Sequence, residues 1–490
     1  MLALLCLLSA PPNVVLILAD DMGSDAVSAY NDRLGMQTPH IDRLAAGGMR
    51  FTDAHSPSSV CSPSRYALLT GRYAWRSRLK RGIVGKWERP LIADETLTMA
   101  EMFREAGYAT ACIGKWHLGW DWPKTDGEID FTKPAGGGPI AHGFDGYFGD
   151  DVPNWPPYAW REDDRVLGEV TTTMGEQPVI GGVRMLGVRE GPAVEGWDFR
   201  AVLRTYTGRW AGYIDEASAA DRPYFLYAPM PSPHTPIAPH ESFVGTSGVS
   251  QYADFLIQTD AAVGAILDAV DRSGEETMVL FTADNGTSPK ADFAGLKAGG
   301  IDLTANWRGW KSDVFEGGHR VPLVVRWPGT VKAGSTSDEV VTLCDLVATL
   351  AAAIGVKLPL DAAPDSVSLL SILRGDHDGR PLHDVVVHHS GSGHFAVRGG
   401  DWKVLFARGS GGWSSPTEAE AKTRGLPPVQ LYDLSEDARE TANVAGDHPG
   451  VVTELTSDLR RVVERGRSTL GPTLPNHGGQ TAWPGLPWAE

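Results

Sequence analysis

Short, nearly unbroken apolar runs punctuate the chain at Val14–Leu18, Tyr108–Ile113, Tyr224–Tyr227, Met278–Phe281 and Val321–Val325. They are rich in β-branched and aromatic residues and lack polar alternation, so each reads as a strand buried on both faces. Between them apolar positions recur at helical spacing. Residues 38–46 open with Thr38 and Pro39, residues 98–106 stop at Gly107, and Tyr252–Val270 forms one long amphipathic stretch. Strand–helix alternation of this kind predicts an α/β unit with a large, mostly parallel sheet flanked by helices. Residues 120–200 are dense in Gly, Pro and Trp, show little periodicity, and read as loop insertions over one face.

The pattern changes after residue 380. Val385–His388, His394–Val397, Trp402–Leu405 and Gln430–Asp433 read as short antiparallel strands joined by turns, and residues 450–466 as one amphipathic helix. Residues 408–428 and the tail beyond 467 read as loops. The expected organisation is a catalytic α/β domain over 11–380 and a smaller C-terminal α+β domain, a short antiparallel sheet plus helix, over 381–490. Residues 1–10 are apolar and end in small residues, like the remnant of an export signal, which predicts a secreted or periplasmic protein. No other run approaches the roughly 18 apolar residues of a membrane span, so no stable membrane insertion is expected.

Composition narrows the function classes. Over 490 residues, 42% hydrophobic and 21% charged positions suit a globular chain, not a disordered or coiled-coil one. Sixty-one acidic against 44 basic residues give a net charge of −17, which argues against nucleic-acid binding. An anionic ligand must therefore be met in a local basic pocket. Four cysteines (Cys6, Cys61, Cys112 and Cys344) are too few for a disulfide framework in a chain of this length.

Ligands of open α/β sheets bind beyond the carboxyl ends of the strands. There the sequence places Asp20 and Asp21, then Lys115 and His117, then His234, then Asp284 and Asn285. Asp20, Asp21, Asp284 and Asn285 make an all-oxygen set suited to Ca²⁺ or Mg²⁺, with no His or thiolate pair beside it to favour zinc. Taken singly, the Asp-Asp and Asp-Asn pairs read equally well as turns. In residues 61–72, Pro63 suits the first turn of a helix, Leu68 and Leu69 anchor it, and Arg65 lies one turn beyond Cys61. Cys61 then sits at a helix N-terminus, where backbone donors favour an anion. A buried thiol starting a helix accounts for the same residues.

The run Cys61, Pro63, Ser64, Arg65 followed by Leu69, Thr70, Gly71 and Arg72 resembles the signature of the type I, formylglycine-dependent sulfatases of the arylsulfatase A-like kind. The resemblance extends through Asn13–Asp21, Gly114–Leu118, Pro233–Pro236, Ala283–Gly286, Lys311, Phe315–Arg320, Leu431–Leu434 and Glu440–Asn443. It implies an alkaline phosphatase-like fold and hydrolysis of a sulfuric ester. It implies that a sulfatase-maturing enzyme oxidises Cys61 to Cα-formylglycine. One Ca²⁺, or Mg²⁺ in its place, is then held by Asp20, Asp21, Asp284, Asn285 and the oxygen at position 61. The hydrated aldehyde offers one hydroxyl for attack and a second for release. Lys115 and Lys311 take sulfate oxygens, Arg65 steadies the diol and the metal ligands, His234 aided by Lys311 protonates the leaving alkoxide, and His117 deprotonates the second hydroxyl.

The expected substrate is a sulfated small molecule or saccharide. Trp120, Trp122, Trp155 and Trp160 are candidates to stack on a sugar, and His319, His388, His389, His394 and Arg398 to reach the pocket; packing roles explain them equally well. Two other readings compete: a phosphonate or phosphodiester hydrolase of the same superfamily, and a non-catalytic calcium-dependent glycan-binding protein. Cysteine at the nucleophile position of an intact motif, with its Lys, His and Arg partners, favours the sulfatase.

Overall fold

In the first apolar run, every residue of Asn13–Ala19 is shielded from water, and this strand becomes the centre of the molecule. The computed structural model describes residues 11–476 together with Trp483, Leu486 and Trp488, so the apolar leader at 1–10 lies outside the described residues. The main sheet has ten strands: β1 (Asn13–Ala19), β2 (Met49–Phe51), β3 (Ala109–Ile113), β4 (Gly146–Gly149), β5 (Arg161–Glu162), β6 (Arg165–Val166), β7 (Tyr224–Pro229), β8 (Thr277–Ala283), β9 (Leu323–Arg326) and β10 (Ser335–Ser337). Their spatial order is β10-β2-β9-β8-β1-β7-β3-β4-β5-β6. The central strands β8, β1, β7, β3 and β4 run parallel, with Val14 opposite Phe225 on one side and Met278 on the other. On one side β9 reverses direction and β2 and β10 reverse it back, and on the other side β5 and β6 do the same, which makes the sheet mixed but mostly parallel.

The helices follow the local signals. α1 (Pro39–Ala46) begins after Thr38, and α2 (Cys61–Thr70) closes on Gly71 in the left-handed conformation. In α3 (Met99–Glu105), Thr98 Oγ1 accepts from the Glu101 amide at 3.1 Å while the Glu101 carboxylate accepts from the Thr98 amide at 2.8 Å. The 20-residue α4 (Phe199–Ser218) is absent from the sequence reading, because Gly208, Gly212, Thr205 and Thr207 blur its pattern. It buries Phe199, Val202, Leu203, Tyr206, Trp210 and Ile214 on one side. α5 (Gln251–Ser273) is capped by Ser250 and ends at Gly274. The stretch 120–200, expected as loops, contains β4–β6 and the hairpin of Val170–Met174 with Gly191–Val194. Residues 408–428 likewise contain a short helix, Glu418–Thr423, with its own capping box.

The C-terminal sheet is antiparallel throughout: β11 (Val386–His389), β12 (Phe395–Gly399), β13 (Trp402–Leu405) and β14 (Gln430–Asp433). Leu455, Leu459, Val462 and Val463 of the helix Pro449–Arg465 join its core. Against the large sheet it is fastened by buried charge. Lys403 of β13 lies 2.8 Å from Glu316 Oε1, 2.8 Å from Glu440 Oε1 and 3.0 Å from His319 Nε2, all shielded from solvent. His319 also stacks on His388 with ring centroids 3.9 Å apart, and neither nitrogen of His388 has a hydrogen-bond partner. No helix among the described residues is long and apolar enough to cross a membrane.

Two stability predictions follow from this junction. Lys403→Met leaves Glu316 and Glu440 without their shared ammonium and is expected to cost about 3–5 kcal/mol, the usual penalty for removing one partner of a buried pair, measured by urea denaturation. Burial holds His388 well below its ordinary value of 6.5, so as the pH falls through that value the unfolded chain takes up a proton that the folded chain refuses. Its contribution to stability is thus present above pH 6.5 and is lost in acid, at up to about 1.4 kcal/mol per pH unit. Denaturation of His388→Phe between pH 7 and pH 5 should show a correspondingly shallower loss than the parent protein.

Candidate active site

Parallel strands deliver their carboxyl ends to one side of the sheet, and the polar residues that follow them converge there. Asp20 and Asp21 follow β1, Lys115 and His117 follow β3, His234 follows β7, and Asp284 and Asn285 follow β8. Asp21 (φ 61°) and His117 (φ 57°) occupy the left-handed region and reverse the chain at the strand ends, a conformation that aspartate tolerates better than most residues. Cys61 is the first residue of α2, so the helix amides point toward the same spot. Lys311 enters from the loop before Glu316.

The charged groups pair closely. Arg65 reaches Asp284 through Nε at 3.0 Å and through its terminal nitrogen at 2.8 Å, and donates to the Lys115 carbonyl at 2.9 Å. The Lys115 ammonium sits directly on Asp20. Lys311 Nζ lies 2.5 Å from Asp21 Oδ1 and 3.3 Å from Cys61 Sγ. Asn285 donates to Asp21 at 2.8 Å, and the Asp21 amide donates to Asp284 at 3.1 Å. His117 is anchored at its amide by Asp151 at 3.0 Å and at Nε2 by the Val84 carbonyl at 3.2 Å, which leaves buried Nδ1 without a partner. His234 donates from Nδ1 to the Thr235 carbonyl at 2.6 Å, and its Nε2 lies 3.8 Å from Asp21.

These contacts set the protonation states. Burial opposes ionisation of Asp20, but Lys115 and the other cations around it outweigh that and hold it well below the usual carboxylate range. Burial, with the neighbouring charge of Asp20, lifts Asp284 to about 7. Burial pushes the Cys61 thiol up to about 12, so the unmodified side chain is a protonated, unreactive thiol at neutral pH. His117 is held well below 6.5 and His234 down to about 4, in both cases chiefly by burial, so both rings are neutral.

The arrangement fits a hard divalent cation. Ligand atoms of Asp20, Asp21, Cys61 and His234 lie within 4.8 Å of one another. Asn285 Oδ1 is buried and has no hydrogen-bond partner, an orphan that an oxygen-seeking ion would satisfy. The site opens into a pocket of about 570 Å³ lined by Cys61, His117, His234 and Lys311 and, further out, by Trp155, Arg189, Lys290 and Trp413.

The structure thus gathers Asp20, Asp21, Cys61, Arg65, Lys115, His117, His234, Asp284, Asn285 and Lys311 into one cluster. Of the tryptophans singled out from sequence, Trp155 lines the pocket. Trp120 and Trp122 instead face the Arg161 guanidinium at 4.4 and 4.0 Å, and Trp160 packs on Phe148 and Trp197. His319 and His388 belong to the buried junction, and His389, His394 and Arg398 do not line the pocket. Asp151, Arg189, Lys290 and Trp413 escaped the sequence reading because they lie in aperiodic loops with no local motif.

The model of the sulfatase family matches residues 12–356. The chain belongs to the sulfatase family. An N-acetylgalactosamine-6-O-sulfatase of Bacteroides thetaiotaomicron is 33% identical, with 93% of this chain and 94% of that protein covered. Human arylsulfatase A is also 33% identical, over 92% of this chain and 87% of that one. A solved Bacteroides thetaiotaomicron structure, from work on glycosaminoglycan metabolism, superposes with a TM-score of 0.81 at 31% identity, covering 93% and 99% of the two chains. A phosphonate monoester hydrolase of Agrobacterium radiobacter shares the fold at 20% identity, TM-score 0.60, covering 94% and 97%. This sulfatase is a sulfuric ester hydrolase, and the reading as a non-catalytic glycan-binding protein is set aside.

Asn285→Leu keeps the side-chain bulk and removes the orphaned oxygen. It is expected to weaken divalent-ion binding at least about 10–100-fold, the range typical of losing even an outer-shell metal partner, as read by calorimetric titration, with the circular dichroism of the fold unchanged.

Proposed function

We propose that this sulfatase removes sulfate from a sulfated carbohydrate, using Cys61 as formylglycine and one Ca²⁺ held by Asp20, Asp21, Asp284, Asn285 and the oxygen at position 61. The observation that carries this reading is the inert thiol of Cys61 at a helix N-terminus, ringed by Lys115, Lys311, His117 and His234. A thiol held near pKa 12 serves no nucleophilic purpose there, whereas a hydroxyl-bearing hydrated aldehyde does. When bound, Ca²⁺ supplies positive charge that favours ionisation of that hydroxyl and offsets charge on the ester. A maturation enzyme is the partner this chemistry requires, and the apolar leader supports export.

The remaining work falls to the side chains. Lys115 and Lys311 are placed to receive sulfate oxygens, each freed in part from its carboxylate once a cation takes up that charge. Arg65 fixes Asp284 and the Lys115 backbone, so its role is positioning. His234 has its Nδ1 hydrogen committed to Thr235 and presents Nε2 to the pocket. An anionic ester beside it favours protonation, and that proton is the one handed to the departing alcohol. His117 is locked as the Nε2–H tautomer by Val84, so its free Nδ1 accepts a proton when sulfate is released.

A carbohydrate substrate is supported by the flanking Trp155 and Trp413, the latter 53% exposed at the pocket rim, and by the relatives named for an amino-sugar sulfatase and for glycosaminoglycan metabolism. The test is release of free sulfate from a panel of defined sulfated saccharides, with peptide mass mapping of residue 61 in the same preparation. Turnover should track the formylglycine-bearing fraction, and Cys61→Ala should be inactive; full activity with an unmodified thiol would sink the proposal. Leaving-group dependence separates the histidines. His234→Ala should lose about 10²–10⁴-fold on a sugar sulfate and far less on nitrophenyl sulfate, whose leaving group needs no proton, whereas His117→Ala should impair both.

A further inference from the structure

A cavity of about 650 Å³ shares no lining residue with the active-site pocket. Five arginines face it (Arg33, Arg50, Arg320, Arg398 and Arg439) in a chain whose net charge is −17. Its floor is internally balanced. Asp53 Oδ1 receives Arg320 and Arg398, each at 2.8 Å, and Glu316 takes Arg320 at 2.8 Å and Lys403 at 2.8 Å.

The upper wall is not balanced. Arg33 and Arg439 both donate to one acceptor, the Ala305 carbonyl, at 2.7 and 2.8 Å, so two guanidinium groups are held side by side. Neither has a carboxylate within ion-pair distance among the described residues, and Arg50 has none either, facing only the Tyr30 ring at 5.4 Å. Like charges brought together without a counter-ion repel, and the arrangement becomes favourable when an anion bridges them. Around them stand Asp338 and Asp401, which accept hydroxyl hydrogens. Guanidinium forks for an oxyanion beside carboxylates for hydroxyls together describe an acidic saccharide.

We propose that this cavity is a second, non-catalytic site that seats a sulfate group of an acidic saccharide on Arg33, Arg50 and Arg439, away from the scissile ester. The proposal rests on the carbohydrate reading of the active site. A second hold on the same polymer raises the local concentration of its ester groups at the pocket, so it acts on KM for long chains and not on turnover of small ones.

The experiment compares the mature enzyme with its Arg33→Ala/Arg439→Ala and Arg50→Ala variants on a sulfated monosaccharide and on a sulfated oligosaccharide of the same linkage. The expected result is unchanged kcat and KM on the monosaccharide, with KM on the oligosaccharide raised about tenfold or more, as for loss of a charge-assisted contact. Titration of the Cys61→Ala protein with the oligosaccharide should find two sites, reduced to one by the arginine replacements. Equal KM changes on both substrates, or a single site in the titration, overturns the proposal. Inorganic sulfate is titrated in parallel: if it binds at these arginines as tightly as the oligosaccharide does, the cavity is a site for the free ion and the saccharide assignment falls. Since the replaced arginines lack carboxylate partners, the circular dichroism of the variants should match the parent's. If the parent enzyme releases no sulfate from any saccharide, the carbohydrate reading fails instead, so the two failures are distinct.

Discussion

Asp20, Arg65, Lys115 and Asp284 are wholly removed from water, and ions so buried cost several kcal/mol each unless partners replace the lost hydration. Every larger feature of the molecule serves that requirement. The parallel strands β8, β1, β7 and β3 end side by side and bring the carboxylates that follow β8 and β1 within reach of the lysine that follows β3. Helix α2 is buried along its whole length and carries Arg65 into the middle of the carboxylates, so that a single guanidinium fixes both Asp284 and the backbone of Lys115. The same logic appears at the rear of the molecule, where Lys403 is surrounded by Glu316, Glu440 and His319 and fastens the small sheet to the large one.

Much of this was legible in the residues because local signals and the final environment agree. The unbroken apolar run before Asp20 is readable because β1 is covered on both faces, and the C-terminal antiparallel strands emerge within two residues of their expected places. The cluster itself was legible because each strand ends in a residue type that loops seldom supply four times over by chance. The thiol motif added what spacing alone could not, since a cysteine at a helix start has an ordinary packing explanation.

What the sequence hid has physical reasons. α4 carries glycines and threonines on its outer side, and its buried face mixes aliphatic with aromatic residues, Phe199 packing against a neighbouring insertion and the rest in the main core. Trp120 and Trp122 advertised a sugar platform but face Arg161 instead, because aromatic faces suit a guanidinium as well as a pyranose and composition does not distinguish the two. Arg189, Lys290 and Trp413 meet only through long-range folding of three separate loops, which no window along the chain can see.

The burial of Cys61 has a consequence for the order of events in the protein's life. Its side chain is 2% exposed, it forms part of a helix, and that helix is enclosed throughout. On the formylglycine reading, an enzyme that rewrites this thiol has to reach a side chain that the folded protein encloses. On the formylglycine reading, the chemical edit must therefore precede folding, and a chain that folds early seals itself as a stable but catalytically barren protein. On that same reading the tight packing around Cys61 also sets a deadline, and the yield of active enzyme in any host becomes a race between modification and collapse.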